Sequence, residues 1–254
     1  MSVWDVGYSP GRENVLATVE TQLQSNLSVK LAFRNLGKTF FVQGEPKLAL
    51  LNISAEIKTG EFVSIVGASG CGKSTLIRIA AGLEQASEGG VYVENNLVTS
   101  PGRDRGMVFQ QFSLFPWLTV KENVMFGLQD QYPDKVRREE KALVWVERVG
   151  LVEFVDYYPN QLSGGMQQRV AIARALAPGP KVLLMDEPFA ALDAQTRSRM
   201  QRHLLEIWRE LNITVVFITH DLEEAVLLAD KIFVLAPKPG RLVATLPIDI
   251  PRTK

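Results

Sequence analysis

Two short stretches concentrate the chemistry that this sequence could perform. The first is GASGCGKS, Gly67 to Ser74, which has the form G-x-x-x-x-G-K-[ST]. Gly67, Gly70 and Gly72 let successive backbone N–H groups curl around an anion, and a helix opening on the loop adds positive potential. Lys73 is placed to reach the β- and γ-phosphates of a nucleotide, and the Ser74 hydroxyl to ligate Mg²⁺. Ser69, Cys71 and Thr75 complete the set expected to contact the ligand. A thiol in that loop predicts loss of activity on alkylation, with protection by nucleotide. The second stretch, VLLMDE (182–187), is an apolar run ending in two carboxylates. Asp186 is expected to hold the metal, through water, because Mg²⁺ gives up its own waters reluctantly. Glu187 is expected to orient or deprotonate an attacking water.

Two further polar residues end β-like runs. Gln110 follows GMVF and could sense a γ-phosphate or the metal through its amide, although an isolated glutamine there is usually solvated. His220 ends TVVFIT and is expected at the same sheet edge, whereas His203 falls within a helical pattern. A second glycine turn occurs in LSGGMQQRV, where Ser163, Gly164 and Gly165 precede good helix formers. Free N–H groups, a hydroxyl and no obstructing side chain again make a small anion cradle. Taken alone, the stretch is an ordinary serine cap with glycines for tight packing.

These residues need rigid elements behind them. FVSIV (62–66), KVLLMD (181–186), TVVFITH (214–220) and KIFVL (231–235) are β-rich and apolar on both faces, as in a sheet with helices on both sides. STLIRIAAGL predicts a helix after the first run. AQTRSRMQRHLLEIWREL puts Met200, Leu204, Trp208 and Leu211 on one face. DLEEAVLLAD opens with Asp221 and Glu224 at capping-box spacing. The alternation predicts an α/β fold with a mostly parallel core. It breaks from residue 112 to about 165, where FSLFPWLTVKENV and the charged helix DKVRREEKALVWVERVGL, stopping near Gly150, predict an inserted helical subdomain. Residues 1–28 are polar and aperiodic, an extension to a domain spanning 29–254.

Composition narrows the partners. The chain has 254 residues, 46% hydrophobic, with 28 basic side chains balancing 28 acidic ones, so no bulk field draws it to nucleic acid. One cysteine excludes an internal disulfide and suits a reducing compartment. Neither a secretory signal nor a bilayer-length apolar run is present, so a cytoplasmic protein is expected.

In their order along the chain, GASGCGKS, the glutamine of VFQQ, LSGGMQQR, VLLMDEP, AALD and the histidine of ITHD resemble the ATP-binding subunits of ATP-binding cassette (ABC) transporters. The resemblance covers roughly residues 30–250. It implies a RecA-like P-loop NTPase core with an antiparallel β part and an inserted helical subdomain, ATP and Mg²⁺ as ligands, and ATP hydrolysis. It further implies that Ser74, Gln110 and Asp186 serve the metal, and that Lys73, Gln110, Glu187 and His220 serve catalysis. Phe40 is implied to stack on adenine, with Phe41 as the alternative and a core role as the bland one. The Ser163–Gly165 turn is implied to face the nucleotide of a second copy or a homologous subunit, with Asp193 crossing the same interface. Met166 stands where many relatives carry glutamine.

PGRDRGMVFQ, QFSLFPWLTVKENV and the tail APKPGRLVATLPIDIPR resemble the nitrate/sulfonate/taurine/bicarbonate importer group. That implies membrane permease partners at the cytoplasmic face of the plasma membrane, indirectly a substrate-binding protein, and import of a small anion. Phe115, Trp117 and Leu118 fall where relatives receive a helix of the permease, or else are subdomain core. The alternative is a soluble, non-transport ABC ATPase of repair or translation. Repair relatives need a long coiled coil between the two glycine turns, and only 163 − 73 = 90 residues separate Lys73 from Ser163. Translation relatives carry two cassettes in one chain.

Overall fold

The structure, a computed structural model, describes residues 29–250; the polar extension 1–28 lies outside the described residues. An antiparallel sheet comes first. Its strands β1 (Val29–Val42), β2 (Glu45–Lys58), β4 (Glu88–Val93) and β5 (Asn96–Leu97) run in the order β2-β1-β4-β5. The second sheet holds β10 (Arg241–Pro247), β9 (Lys231–Ala236), β3 (Phe62–Gly67), β8 (Thr214–Ile218), β7 (Val182–Asp186) and β6 (Arg105–Val108), in that spatial order. Every pairing in it is parallel except β9 with β10. All five residues of β7 and of β8 are buried. Covered parallel strands need near-continuous apolar runs, and the four β-rich segments supply them.

The two-residue period divides each strand between two cores. Val63, Ile65, Leu184, Val216 and Ile218 pack with α1 (Lys73–Ala80) and the antiparallel sheet. Phe62, Leu183, Met185, Val215 and Phe217 pack on the other side, with α4 (Gly164–Leu176), α5 (Ala194–Leu211) and α6 (Leu222–Leu228). Helices therefore cover one face. The other face is closed jointly by a helix and a second sheet, which the strand pattern alone does not distinguish. Met200 and Leu204 of α5 are buried, with Trp208 and Leu211 partly buried against the same cluster.

Between β6 and β7, α2 (Val120–Gly127) and α3 (Lys135–Arg148) form a third apolar cluster with Val170 and Ala173 of α4. Asp134 caps α3, and Gly150 at φ 66° turns the chain out of it, as the left-handed conformation requires. Thr119 and Glu122 make a reciprocal capping box on α2. The box expected at α6 is only half present. Asp221 accepts from the N–H groups of Glu223 and Glu224, but Glu224 turns inward to accept from Gln201 Nε2 at 2.9 Å. The backbone N–H of Asp221 is satisfied by Thr219 Oγ1 instead. Burial of a carboxylate demands a donor, and Gln201 on α5 supplies it.

Glu94, in the β4–β5 turn, joins the two halves of the fold by accepting from Lys30 of β1 at 2.5 Å and from Lys181 just before β7. The Lys181 hydrogen bond, then that of Lys30, lowers its carboxyl to about 2. A depressed carboxyl stabilises the fold fully above its ordinary value near 4.5, and that contribution disappears as pH falls toward 2. The group is largely exposed, so screening holds the gain to about 1 kcal/mol. Glu94→Gln is therefore expected to melt roughly 2–4 °C below the wild type at pH 7. The gap should close as pH falls from about 4.5 to about 2; a gap constant with pH would remove the ion triad as its cause.

Candidate nucleotide site

The loop between β3 and α1 leaves its strand at Gly67 and enters the helix at Gly72. Gly70 (φ 73°) and Gly72 (φ 94°) sit in the left-handed region, where only glycine is free of strain. Gly67 is required for a different reason: a Cβ there would stand 2.5 Å from Leu235 O and 2.8 Å from Cys71 Sγ. Among the described α-helices, α1 is the one whose N-terminus has no side-chain cap and no acid in its first turn. Thr119, Asp134, Ser163, Asp193 and Asp221 cap the others. The first-turn donors of α1 are thus not taken by the chain's own side chains, which suits an external anion.

A cavity of about 780 Å³ opens over this loop. Ser69, Gly70, Gly72, Lys73, Ser74 and Thr75 form its floor, with Gln110, Glu187 and His220 beside them and Phe40 in its wall. Lys73 is buried, and its ammonium donates to Gly67 O at 2.9 Å, lying across the loop's concave side. Ser74 Oγ donates to Asp186 Oδ1 at 3.2 Å, although these residues are far apart in sequence. Burial, foremost, raises the Asp186 carboxyl, with the neighbouring Glu187 charge adding and the Ser74 hydrogen bond opposing. A hydroxyl and a buried carboxylate are hard oxygen donors, and a divalent cation between them would favour the charged form of Asp186, against the effect of burial. The donor set fits Mg²⁺.

Glu187 follows β7 with φ 45°, a left-handed conformation costly for a side chain with a Cβ and most often retained where a site needs it. Its backbone N–H donates to Ile218 O at the end of β8. Its carboxylate faces His220 Nδ1 at 3.3 Å. The parallel neighbours β7 and β8 thereby bring both groups to one sheet edge, the edge at which parallel sheets gather ligands.

Phe40 lines the cavity, partly exposed, with Lys38 Nζ 4.7 Å from its ring centroid. Phe41, 75% exposed, is not among the lining residues, and neither ring joins the core. The Cys71 expectation needs correcting. The thiol is 1% exposed and packs beneath the loop in the same cluster as Leu50 and Leu235. Cys71 is not among the residues lining the cavity, and its N–H is already bonded to Ala68 O. Alkylation then requires the loop to open.

The second glycine turn is elsewhere. Ser163, Gly164, Gly165 and Asp193 do not line the 780 Å³ cavity. Ser163 caps α4 by accepting from Met166 N–H at 3.4 Å, and Asp193 caps α5 by accepting from Thr196 N–H at 3.0 Å. That hydrogen bond, foremost, lowers the Asp193 carboxyl. A Cβ at Gly165 would meet Thr196 Cγ2 at 2.5 Å, so any larger residue there requires Thr196 to shift.

The chain from 109 to 119 is fastened by residues that no motif marks. Arg174, in the last turn of α4, donates to Ser113 O at 2.8 Å and to Phe112 O. Fully buried Asn123 accepts from Phe115 N–H and donates to the carbonyls of Phe115, Leu118 and Thr119. Phe115 packs against Phe126, their rings tilted by 53° with 4.4 Å between centroids, beside a groove of about 530 Å³. Trp117 is 69% exposed, which removes it from the subdomain core.

Residues 50–190 match the family described as ABC transporter. This chain belongs to that family. Its RecA-like α/β core with an added antiparallel sheet is the fold of an ABC ATPase, and it is an ATP-hydrolysing enzyme of that class. The chain is 51% identical to the nitrate import ATP-binding protein NrtD of Synechocystis sp. over 87% of its own length and 83% of that protein's. It is 49% identical to the bicarbonate transport ATP-binding protein CmpC of Synechococcus elongatus over 90% of its length, spanning 35% of that longer protein. A solved dimeric ABC transporter cassette superposes with a TM-score of 0.77 at 38% identity, covering 87% of this chain and 99% of that one. A second, in a post-hydrolysis state bound to ADP and Pi, gives the same values. No described helix of this ABC ATPase is long and apolar enough to cross a membrane.

Proposed function

We propose that this ABC ATPase drives import of a small anion through membrane permease subunits, working as a dimer at the cytoplasmic face of the plasma membrane. The observation carrying the mechanism is the separation of the two glycine turns. Phe40, the phosphate loop, Glu187 and His220 share one cavity, whereas Ser163–Gly165 caps a helix outside it. A cradle that does not line the chain's own nucleotide cavity suits the nucleotide of another copy. Two-fold pairing then completes two sites at once.

In that arrangement Phe40 stacks on the base, and the loop amides with Lys73 hold the phosphates. Ser74, Gln110 and Asp186 would hold Mg²⁺, which supplies charge neutralisation on the phosphate oxygens when bound. Glu187 takes a proton from the attacking water, and His220, against its carboxylate, steadies the base and reaches the γ-phosphate. The partner's Ser163–Gly165 turn stabilises the departing charge. Most of the rate then comes from positioning and preorganised charge. The 112–118 chain, held by Arg174 and Asn123, carries the motion to the permease groove beside Phe115.

The cargo class rests on the nitrate and bicarbonate relatives, and sulfonate and taurine belong to the same group; a substrate-binding protein would deliver it. Vesicles carrying the chain with its co-purified membrane partners are expected to accumulate nitrate or bicarbonate in an ATP-dependent way, and Lys73→Ala to abolish uptake. A chain that hydrolyses ATP yet never sediments with membranes or retains a membrane partner would favour the soluble, non-transport class instead.

A further inference from the structure

The turn between β9 and β10 has no part in the motifs, yet it touches the phosphate loop at two points. On its entering side, β9 runs parallel to β3, with Leu235 opposite Gly67 and its carbonyl close against that glycine. On its leaving side, Gly240 presses on the loop from beneath: a Cβ there would stand 2.1 Å from Cys71 O. Gly240 is also tied to β2, donating to Ala49 O at 2.9 Å and accepting from Leu51 N–H at 2.8 Å. Between these anchors the chain arches beside the loop, and Lys238 lies on the arch.

Lys238 and Pro239 line the same 780 Å³ cavity as Lys73 and Ser74. Lys238 holds φ 57°, a left-handed conformation that an L-residue with a long side chain rarely adopts. Lys238 is exposed, and it is in none of the ion pairs among the described residues. Lys47, paired with Phe40 across β1 and β2, is a second lysine on the same cavity wall. Lysine offers a compact charge suited to phosphate oxygens.

We propose that Lys238 is a further nucleotide-binding residue, its ammonium meeting the phosphate chain of bound ATP or ADP from the turn that lies beside the loop. The proposal rests on the ATP-binding reading of this cavity and adds a contact outside the phosphate loop. Titration calorimetry with MgATP and MgADP tests it on the full chain. Lys238→Ala is expected to weaken both ligands about 5- to 10-fold, and Lys238→Arg to stay within about 3-fold of wild type, since a charge-assisted contact survives a change of cationic head. The loss should shrink at high ionic strength. Undiminished binding by Lys238→Ala overturns the proposal. So does a loss that Lys238→Arg does not rescue, or one accompanied by a lowered melting temperature, because either assigns the lysine to folding of the turn. Wild-type chain that fails to bind MgATP would instead overturn the reading of the cavity itself.

Discussion

Glu187→Gln is expected to bind MgATP with nearly wild-type affinity while its turnover falls by about 10²- to 10⁴-fold, the usual contribution of a positioned general base. The amide keeps the size of the carboxylate and can still meet His220, 3.3 Å away in the wild type. It cannot take a proton. Because Glu187 leaves β7 in a left-handed conformation anchored on Ile218 O, the substitution should leave the loop and its φ in place. Unhydrolysed ATP would then hold two copies together. Size-exclusion chromatography with MgATP should show a stable dimer for Glu187→Gln and a monomer for the same variant without nucleotide. Rapid hydrolysis by the variant, measured as phosphate release, would reassign the base to another group.

Ser163→Arg separates binding from hydrolysis from the other side. Ser163 lies outside the cavity that holds Lys73 and Glu187, so one copy should bind ATP as before. In a pair, the arginine would fill the space that the partner's γ-phosphate needs beside the Gly164 and Gly165 amides. Turnover is expected to fall at least about 10²-fold, comparable to removing one donor from a preorganised oxyanion site. The lost helix cap should cost about 1 kcal/mol of stability, too little to unfold a domain of this size. Mixing the variant with an excess of Lys73→Ala chain sharpens the test. A mixed pair holds one complete composite site, formed by the variant's phosphate loop and the other copy's intact turn, so part of the activity should return. A variant fully active by itself would show that the turn does not face a nucleotide.

The local motifs were legible because their geometry is set within a few residues. GASGCGKS needs left-handed positions and a helix start; the glycines specify the first, and the helix formers after Lys73 specify the second. The same holds for Ser163 as the cap of α4, since a capping side chain reaches only two or three residues onward. The apolar runs of β7 and β8 likewise announce a covered parallel sheet.

What lay beyond the sequence depends on contacts between distant segments. Cys71 belongs to the loop by position, yet Leu50 and Leu235 pack with it in the core and draw the thiol away from the ligand side. Glu224 has capping-box spacing, but a donor on α5 outcompetes the local amide. Phe40 rather than Phe41 lines the cavity because strand pairing decides which ring turns that way. Arg174, Asn123 and Lys238 carry no motif at all. By itself, then, the sequence determined the two glycine turns, the paired acids and the family, since each is written in short-range steric and hydrogen-bonding rules. Tertiary structure alone decided which cradle shares a cavity with Glu187 and His220, and that the β9–β10 turn forms one of its walls, because packing brings together residues between which the chain itself imposes no geometry.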